Sequence, residues 1–126
     1  MVRLDRMAID WSENIVLAQL TDEPSLSEEL TTLFERLEAI DPEEEHPSVV
    51  LDFSAVSYVN SSNIAQMLRL SKQVSRRGKA LRLCSISDEV ASVMSVTGLD
   101  KVFAFAPDTL TALASIQLEE DEEPES

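Results

Sequence analysis

Residues 49–63 have the sequence VVLDFSAVSYVNSSN, an apolar run that passes directly into a polar loop. From Val49 to Phe53 only Asp52 is polar, and the run starts with two β-branched residues. Continuous apolar strands of this kind are typical of a parallel sheet that is covered on both faces. We therefore expect a buried strand over 49–53, and a helix that begins at Ser61 or Ser62 as its cap.

Strands and helices alternate along the chain on both sides of this segment. The predicted strands are 15–20, 49–53, 80–84 and 102–105, and a segment at about 3–11 is expected to pair as an edge strand through a turn at 13–14. The first predicted helix has Ser25 or Ser27 as its cap, and Glu28 is spaced for a capping box with Ser25. The others begin near Ser61 or Ser62, Ser87 and Pro107. Gly78 and Gly98 are expected to end the second and third helices.

Apolar residues recur at helical spacing in each of these helices, which predicts the faces that turn toward the core. The residues expected to face inward are Leu26, Leu30, Leu33, Phe34, Leu37, Ile40, Ile64, Met67, Leu68, Ser71, Val74, Val90, Val93, Met94, Val96, Leu110, Leu113, Ala114 and Ile116. Connections of this length favour right-handed crossovers between parallel strands. The predicted fold is α/β, a four- to five-stranded mostly parallel sheet with an N-terminal edge strand and about four helices.

The chain has 126 residues, a length that suits one domain. We assign this domain to residues 1–118. Residues 119–126 are almost entirely acidic and are expected to form a disordered tail. Glu43, Glu44, Glu45, His46 and Pro47 are expected to form a charged surface loop.

The net charge is −14, which argues against nucleic acid as a partner. Six of the ten basic residues nevertheless lie in the stretch between Asp52 and Asp88, which contains no acidic residue. Arg69, Lys72 and Arg76 among them fall at i, i+3 and i+7, so we expect one exposed basic helix face. This face is a candidate site for an acidic partner, although the acidic tail is a competing occupant and a solvated face is the simplest interpretation.

No pattern of residues indicates an enzyme, a metal site or a cofactor. Cys84 lies in an apolar run, so we expect a buried thiol and an intracellular protein. His46 is the only histidine and lies beside acidic residues, and Glu43 to Glu45 lack the His or Cys neighbours of a metal site. No apolar run is long enough to cross a membrane.

Three segments together resemble the sulfate-transporter/anti-sigma-factor-antagonist (STAS) family. Residues 49–63 resemble its strand, loop and helix signature, 77–84 resemble its glycine and following strand, and 96–103 resemble its glycine-leucine-aspartate stretch. The resemblance covers about residues 10–117. This sequence differs from the family pattern at two positions. Asn60 stands where the family usually has aspartate, and Asn63 stands where it usually has glycine.

The resemblance implies a cytoplasmic regulatory module that binds a protein and is not an enzyme. In the antagonist branch of the family, an anti-sigma factor with serine kinase activity phosphorylates the second serine of the pair, which corresponds to Ser62. The implied partner-binding residues are Tyr58, Asn60, Ser61, Ser62, Asn63, Gln66 and Arg69. From the residues alone, helix caps are the better explanation of Ser61 and Ser62, and only the family resemblance brings the phosphorylation hypothesis level with it.

Two other functions stay open at this point. One is a constitutive STAS subunit of a transporter or stress-signalling assembly, which needs no phosphorylation. The departures at Asn60 and Asn63 favour it, because the first removes a negative charge from the loop. The second puts a side chain where a kinase would need a close approach to the backbone. The other is a small-molecule sensor that uses the end of the sheet, for which the sequence indicates no ligand. The sequence also leaves the oligomeric state open.

Overall fold

The computed structural model describes residues 2–4, 7–12 and 14–121, and the side chains of residues 14–119. Within them the chain forms β1 (Val2–Leu4), β2 (Met7–Ser12), β3 (Ile15–Thr21), α1 (Ser25–Glu38), β4 (Ser48–Ala55), α2 (Ser61–Arg76), β5 (Leu81–Cys84), α3 (Asp88–Val96), a 3₁₀ turn (Leu99–Lys101), β6 (Ala104–Ala106) and α4 (Thr109–Asp121).

The six strands form one sheet in the order β1-β2-β3-β4-β5-β6. Strands β3 to β6 are parallel, and β1 and β2 add to them in antiparallel pairs. The α/β fold predicted from the sequence is thus confirmed. The N-terminal segment differs in detail, because it forms two strands rather than a single edge strand.

Helices cover both faces of the sheet, and β4 shows why its sequence is apolar throughout. Val49, Leu51 and Phe53 join the larger core with α1, α2 and α3, whereas Val50 joins a smaller core under α4. All residues from Ser48 to Phe53 are buried. The prediction of a strand buried on both faces is therefore confirmed.

The orientation of four apolar side chains was predicted wrongly: Ala114 is exposed, and so are three larger residues. Leu68 is 38 % exposed, Val96 86 % and Leu110 76 %. In α2 the inward positions are occupied by Leu70 and Gln73 instead. In α4 they are Ala112 and Ile116. Apolar residues occur around most of α4, so spacing alone does not define which side of the helix faces the sheet.

The end of the chain is also shifted relative to the prediction. After Gly98, whose φ is +79°, residues 99–101 form a 3₁₀ turn, and β6 starts only at Ala104. Helix α4 extends to Asp121, three residues into the segment predicted as tail, and Glu119 on it pairs with Arg82. Residues 122–126 lie outside the described residues.

The loop before β4 is a surface loop only in part. Residues 41–45 are exposed, but His46 is only 8 % exposed and packs beside α2. Nη1 of Arg77 donates to Nδ1 of His46 at 2.6 Å. This contact fixes His46 to the end of α2, far along the helix from the serine pair.

Candidate functional site

The first turn of α2 is closed by two asparagines rather than by a serine. The backbone N–H of Asn63 donates to Oδ1 of Asn60 at 2.8 Å, and the N–H of Asn60 donates to Oδ1 of Asn63 at 2.9 Å. This reciprocal capping box makes Asn60 the N-cap. The prediction that Ser61 or Ser62 caps the helix was therefore wrong, although the Asn-x-x-Asn spacing contained the signal.

Ser61 and Ser62 are instead the first two residues of α2, and both are exposed. The capping box uses the backbone amides of Asn60 and Asn63, and the side chains of the two serines take no part in it. Both hydroxyls lie at the positive end of the helix dipole. They are accessible to another protein, and a change at either serine leaves the cap in place.

Asn63 points into the protein. Its side chain is fully buried, and its Nδ2 donates to Oε2 of Glu23 at 2.7 Å. The expectation that this side chain obstructs the approach of a kinase was therefore wrong. Asn63 also contributes no surface to a partner and acts by holding α2 against the loop that follows β3.

That loop supplies two carboxylates that the sequence did not indicate. Asp22 accepts from the backbone N–H and the hydroxyl of Ser57, both at 2.8 Å, and Glu23 accepts from the hydroxyl of Ser27 at 2.6 Å. Glu23 also accepts from the N–H of Ser27, so it satisfies the start of α1. The capping box predicted for Ser25 and Glu28 was wrong, because the N-cap position is Pro24.

The loop between β4 and α2 is anchored at both ends and exposed between them. Val56 and Val59 are each 2 % exposed, so they fix the loop to the core. Tyr58 between them is 61 % exposed. An aromatic ring held outward by buried neighbours is a suitable contact for another protein.

Gln66 and Arg69 complete the set of residues implied by the family resemblance. Gln66 is half-buried, and its Nε2 donates to the carbonyl of Ser27 at 3.0 Å and to Oγ1 of Thr31 at 3.1 Å. Arg69 is exposed, and its guanidinium lies 5.4 Å from the ring centroid of Phe34 on α1. Gln66 thus joins α1 to α2, whereas Arg69 presents its charge at the surface.

The structure separates the seven predicted residues into two groups. Four are exposed and available to a partner: Tyr58, Ser61, Ser62 and Arg69. Three hold the surface in place: Asn60, Asn63 and Gln66.

Among the side chains that the structure describes, Cys84 and His46 are not placed in a catalytic arrangement. Burial, and then the charge of Asp52, raise the pKa of the Cys84 thiol to about 11, so the thiol stays protonated. His46 lies against Arg77 rather than beside a serine or cysteine. Across the described residues, no group of three His, Cys, Asp or Glu side chains is placed to hold a metal ion.

Asp22 and Glu23 accept these hydrogen bonds as carboxylates, so we expect the contacts that they make to weaken at acid pH. Hydrogen bonds from Ser57 lower the pKa of Asp22 below 3.8, and those from Ser27 and Asn63 lower the pKa of Glu23 below 4.5. Because the folded values are depressed, these bonds stabilise the protein above the unfolded pKa values. That stability is lost as the pH falls through the folded ones.

We therefore expect the amide resonance of Ser57 to titrate with a midpoint below 3.8 in a pH series of two-dimensional NMR spectra. The variant Asp22→Asn should remove this titration and leave that of the Asn63 side-chain amide, which reports Glu23. A midpoint at or above 3.8 for Ser57 would contradict the assignment.

Comparison with models of known protein families shows which family this chain resembles. The model of the STAS domain matches residues 20–112, which include the loop, α2 and both glycines. The chain belongs to the STAS domain family. The matched region begins at the end of β3, so β1, β2 and most of β3 precede it.

Solved STAS structures share the fold at low sequence identity. An anti-sigma-factor antagonist (STAS) domain protein from Planctomyces limnophilus is 19 % identical, with a TM-score of 0.74 over 88 % of this chain and 97 % of that one. A serine-to-glutamate variant of RsbS from Moorella thermoacetica is 19 % identical, with a TM-score of 0.76 over 92 % and 98 %. A sulfate transporter family protein from Wolinella succinogenes is 18 % identical, with a TM-score of 0.68 over 87 % and 90 %.

These similarities establish the STAS fold and include proteins named for two different roles, signalling and transport. Among the helices that the structure describes, none is long and apolar enough to cross a membrane.

Proposed function

We propose that this STAS domain is a regulatory protein-binding module, an anti-sigma factor antagonist whose partner binding is switched by phosphorylation of Ser62. The partner is an anti-sigma factor with serine kinase activity, and the module acts in the cytoplasm without catalysing a reaction. The observation that carries the proposal is the exposed position of Ser62 as the second residue of α2, outside the capping box.

This position lets a phosphate be added without disturbing the fold. The cap is formed by Asn60 and Asn63, so it persists when Ser62 is modified. The phosphate lies at the positive end of the helix dipole, which favours an anion. The modification therefore changes the charge of the surface rather than its shape.

The effect on a partner follows from that charge. A phosphate adds roughly −1.5 to −2 charges at neutral pH. Ser61 is next to Ser62, and Arg69 follows it two turns along the same side of α2, and both are exposed, so a partner seated there meets the new anion directly. A partner surface complementary to a hydroxyl leaves this charge without compensation, and affinity falls.

The test is an affinity capture from the native cell with the wild type, Ser62→Ala and Ser62→Asp, with the retained proteins identified by mass spectrometry. We expect a kinase-like protein to be retained by the wild type and by Ser62→Ala. With Ser62→Asp its retention should fall about tenfold or more. Exposed Ser75 lies thirteen residues along α2, about 20 Å away, so Ser75→Asp is the matched control and should behave as the wild type.

Incubation of the wild-type chain with the captured protein and ATP should then place a phosphate on Ser62, detected by peptide mass spectrometry. Equal retention by the wild type and all three variants, with no phosphate on Ser62, would reject the switch. In that case the identity of the retained proteins tests the alternative, a constitutive subunit of a transporter or stress-signalling assembly.

A further inference from the structure

Three basic side chains of α2 are exposed on a strongly acidic protein. Arg69, Lys72 and Arg76, hereafter the basic face, are all exposed. None of them forms an ion pair with a residue whose side chain the structure describes. The other basic residues between Asp52 and Asp88 each contact a neighbour: Arg77 binds His46, Lys79 binds Glu45 and Arg82 binds Glu119.

The basic face continues the surface that carries the candidate phosphorylation site. Ser62, Ala65 and the three basic residues follow the spacing i, i+3, i+7, i+10 and i+14, which puts them along one side of a helix. Ser62 and Ala65 are exposed as well. The distance from Ser62 to Arg69, and again from Arg69 to Arg76, is about 10 Å along the axis.

The stacking of Arg69 on Phe34 fixes the start of this face. A guanidinium that lies over a ring keeps its N–H groups directed outward, where they can bind a carboxylate. The small side chain of Ala65 leaves room between Ser62 and Arg69 for another chain to approach α2. This side of α2 thus combines a positive charge held against Phe34 with a small side chain that lets another chain approach.

We propose that an acidic segment of the protein partner binds along this side of α2, with its carboxylates opposite Arg69, Lys72 and Arg76. This inference rests on the proposed function, because it names the chemistry of the same partner. A phosphate on Ser62 lies in line with the basic face and opposes the partner's carboxylates. The switch then works by repulsion between like charges at one end of an attractive surface.

The net charge of −14 does not prevent such binding. At physiological ionic strength the Debye length is about 8 Å, so acidic residues farther away are largely screened. The basic face itself spans a comparable length, and its field dominates for a ligand in contact with it. Binding is consequently expected to weaken steeply as salt is added.

The experiment titrates the ¹⁵N-labelled full chain with poly-L-glutamate at physiological salt and follows the amide resonances by NMR. We expect the largest shifts around Lys72 and Arg76, and an affinity that Lys72→Glu lowers about threefold and Lys72→Glu with Arg76→Glu about tenfold. Lys101→Glu is the matched control, since it reverses an exposed lysine on the 3₁₀ turn, and should leave the affinity unchanged. Ser62→Asp should also weaken binding.

Three outcomes of this titration would overturn the inference. One is the absence of shifts in α2, and another is an equal loss of affinity in Lys72→Glu and Lys101→Glu. The third is a large gain of affinity when residues 122–126 are deleted, which would make the chain's own acidic end the occupant of this face.

The affinity capture separates this inference from the proposed function. If retention of the partner responds to Ser62→Asp but not to the double Lys72→Glu, Arg76→Glu variant, the switch stands and the acidic-partner inference fails. If poly-L-glutamate maps to the basic face while no captured protein responds to Ser62→Asp, the inference stands without the switch.

Discussion

Asn63→Ala is expected to lower the free energy of unfolding by roughly 2–4 kcal/mol, because it removes one half of a cap and several buried hydrogen bonds together. The variant leaves the N–H of Asn60 without the acceptor that now satisfies it, and it removes one of the donors to Glu23, which keeps its bonds from Ser27. It also leaves a small void, since Asn63 is fully buried. The loss therefore exceeds that of an ordinary helix cap.

Urea denaturation followed by circular dichroism measures the change, with Ser62→Ala as the control one residue away. Ser62 is exposed and outside the cap, so its variant should stay within about 0.5 kcal/mol of the wild type. Asn60→Ser tests the mechanism, because serine also caps helices well and should restore much of the first turn. A loss below about 0.5 kcal/mol for Asn63→Ala would show that the buried bonds contribute little.

Asn63→Ala also tests whether Asn63 holds the two loops of the candidate site together. Asn63 connects α2 to the loop after β3, and Asp22 in that loop binds Ser57. We expect faster amide hydrogen exchange at Ser57 and Asn60 in Asn63→Ala, since the two loops then open together.

The sequence was a good guide where structure depends on neighbouring residues. The apolar run 49–53 is buried on both faces because each of its side chains meets a covered side of the sheet, and this pattern is local. Gly78 and Gly98 follow α2 and α3 with φ of +74° and +79°, which glycine adopts without strain. Ser87 caps α3 as expected, with its Oγ accepting from the N–H of Val90.

Prediction failed where a side chain is satisfied by a distant part of the chain. Asp22 and Ser57 are 35 positions apart, and Asn63 and Glu23 are 40 apart. Glu29 is only 4 % exposed because the N–H and the hydroxyl of Thr21 donate to it, yet its neighbours in the sequence give no sign of burial. Such contacts depend on how the elements pack, which periodicity does not specify.

For the same reason, the sequence predicted only part of the candidate site. The family signature located the loop, and with it Tyr58 and the serine pair, whose side chains are exposed. It did not indicate that the asparagine at position 63 turns inward, because that direction is set by its bond to Glu23. Asn63 departs from the family sequence and argued against phosphorylation of Ser62. In the structure its side chain instead holds α2 in place.

The polar contacts also bear on how the proposed switch operates. Asp22, Glu23 and Gln66 tie the loop after β3, the helix α1 and the start of α2 into one network. A phosphate on Ser62 lies outside this network, so no rearrangement of the fold is needed for it to act. Regulation of this kind depends on charge at a rigid surface.

Phe53→Ala should have the largest effect on stability, a loss of about 3–5 kcal/mol, since it deletes a fully buried aromatic side chain from the main core. Phe53 lies in β4, which pairs with β3 on one side and β5 on the other, so the strand has little freedom to close the cavity. A domain of ordinary stability has about 5–15 kcal/mol in total. We expect the variant to be folded, with only a small free energy of unfolding remaining.

Thermal and urea denaturation measure this loss, with Phe34→Ala as the matched control. Phe34 is only half-buried at the edge of the same core, so its removal should cost clearly less. Val56 follows β4 and anchors the loop that carries Tyr58, so Phe53→Ala should also increase hydrogen exchange in residues 56–60. Equal losses in the two variants would mean that Phe53 is not the centre of the core, and unchanged exchange in 56–60 would separate the loop from β4. The combined result decides whether the strand at the middle of the sheet also supports the surface proposed to bind the partner.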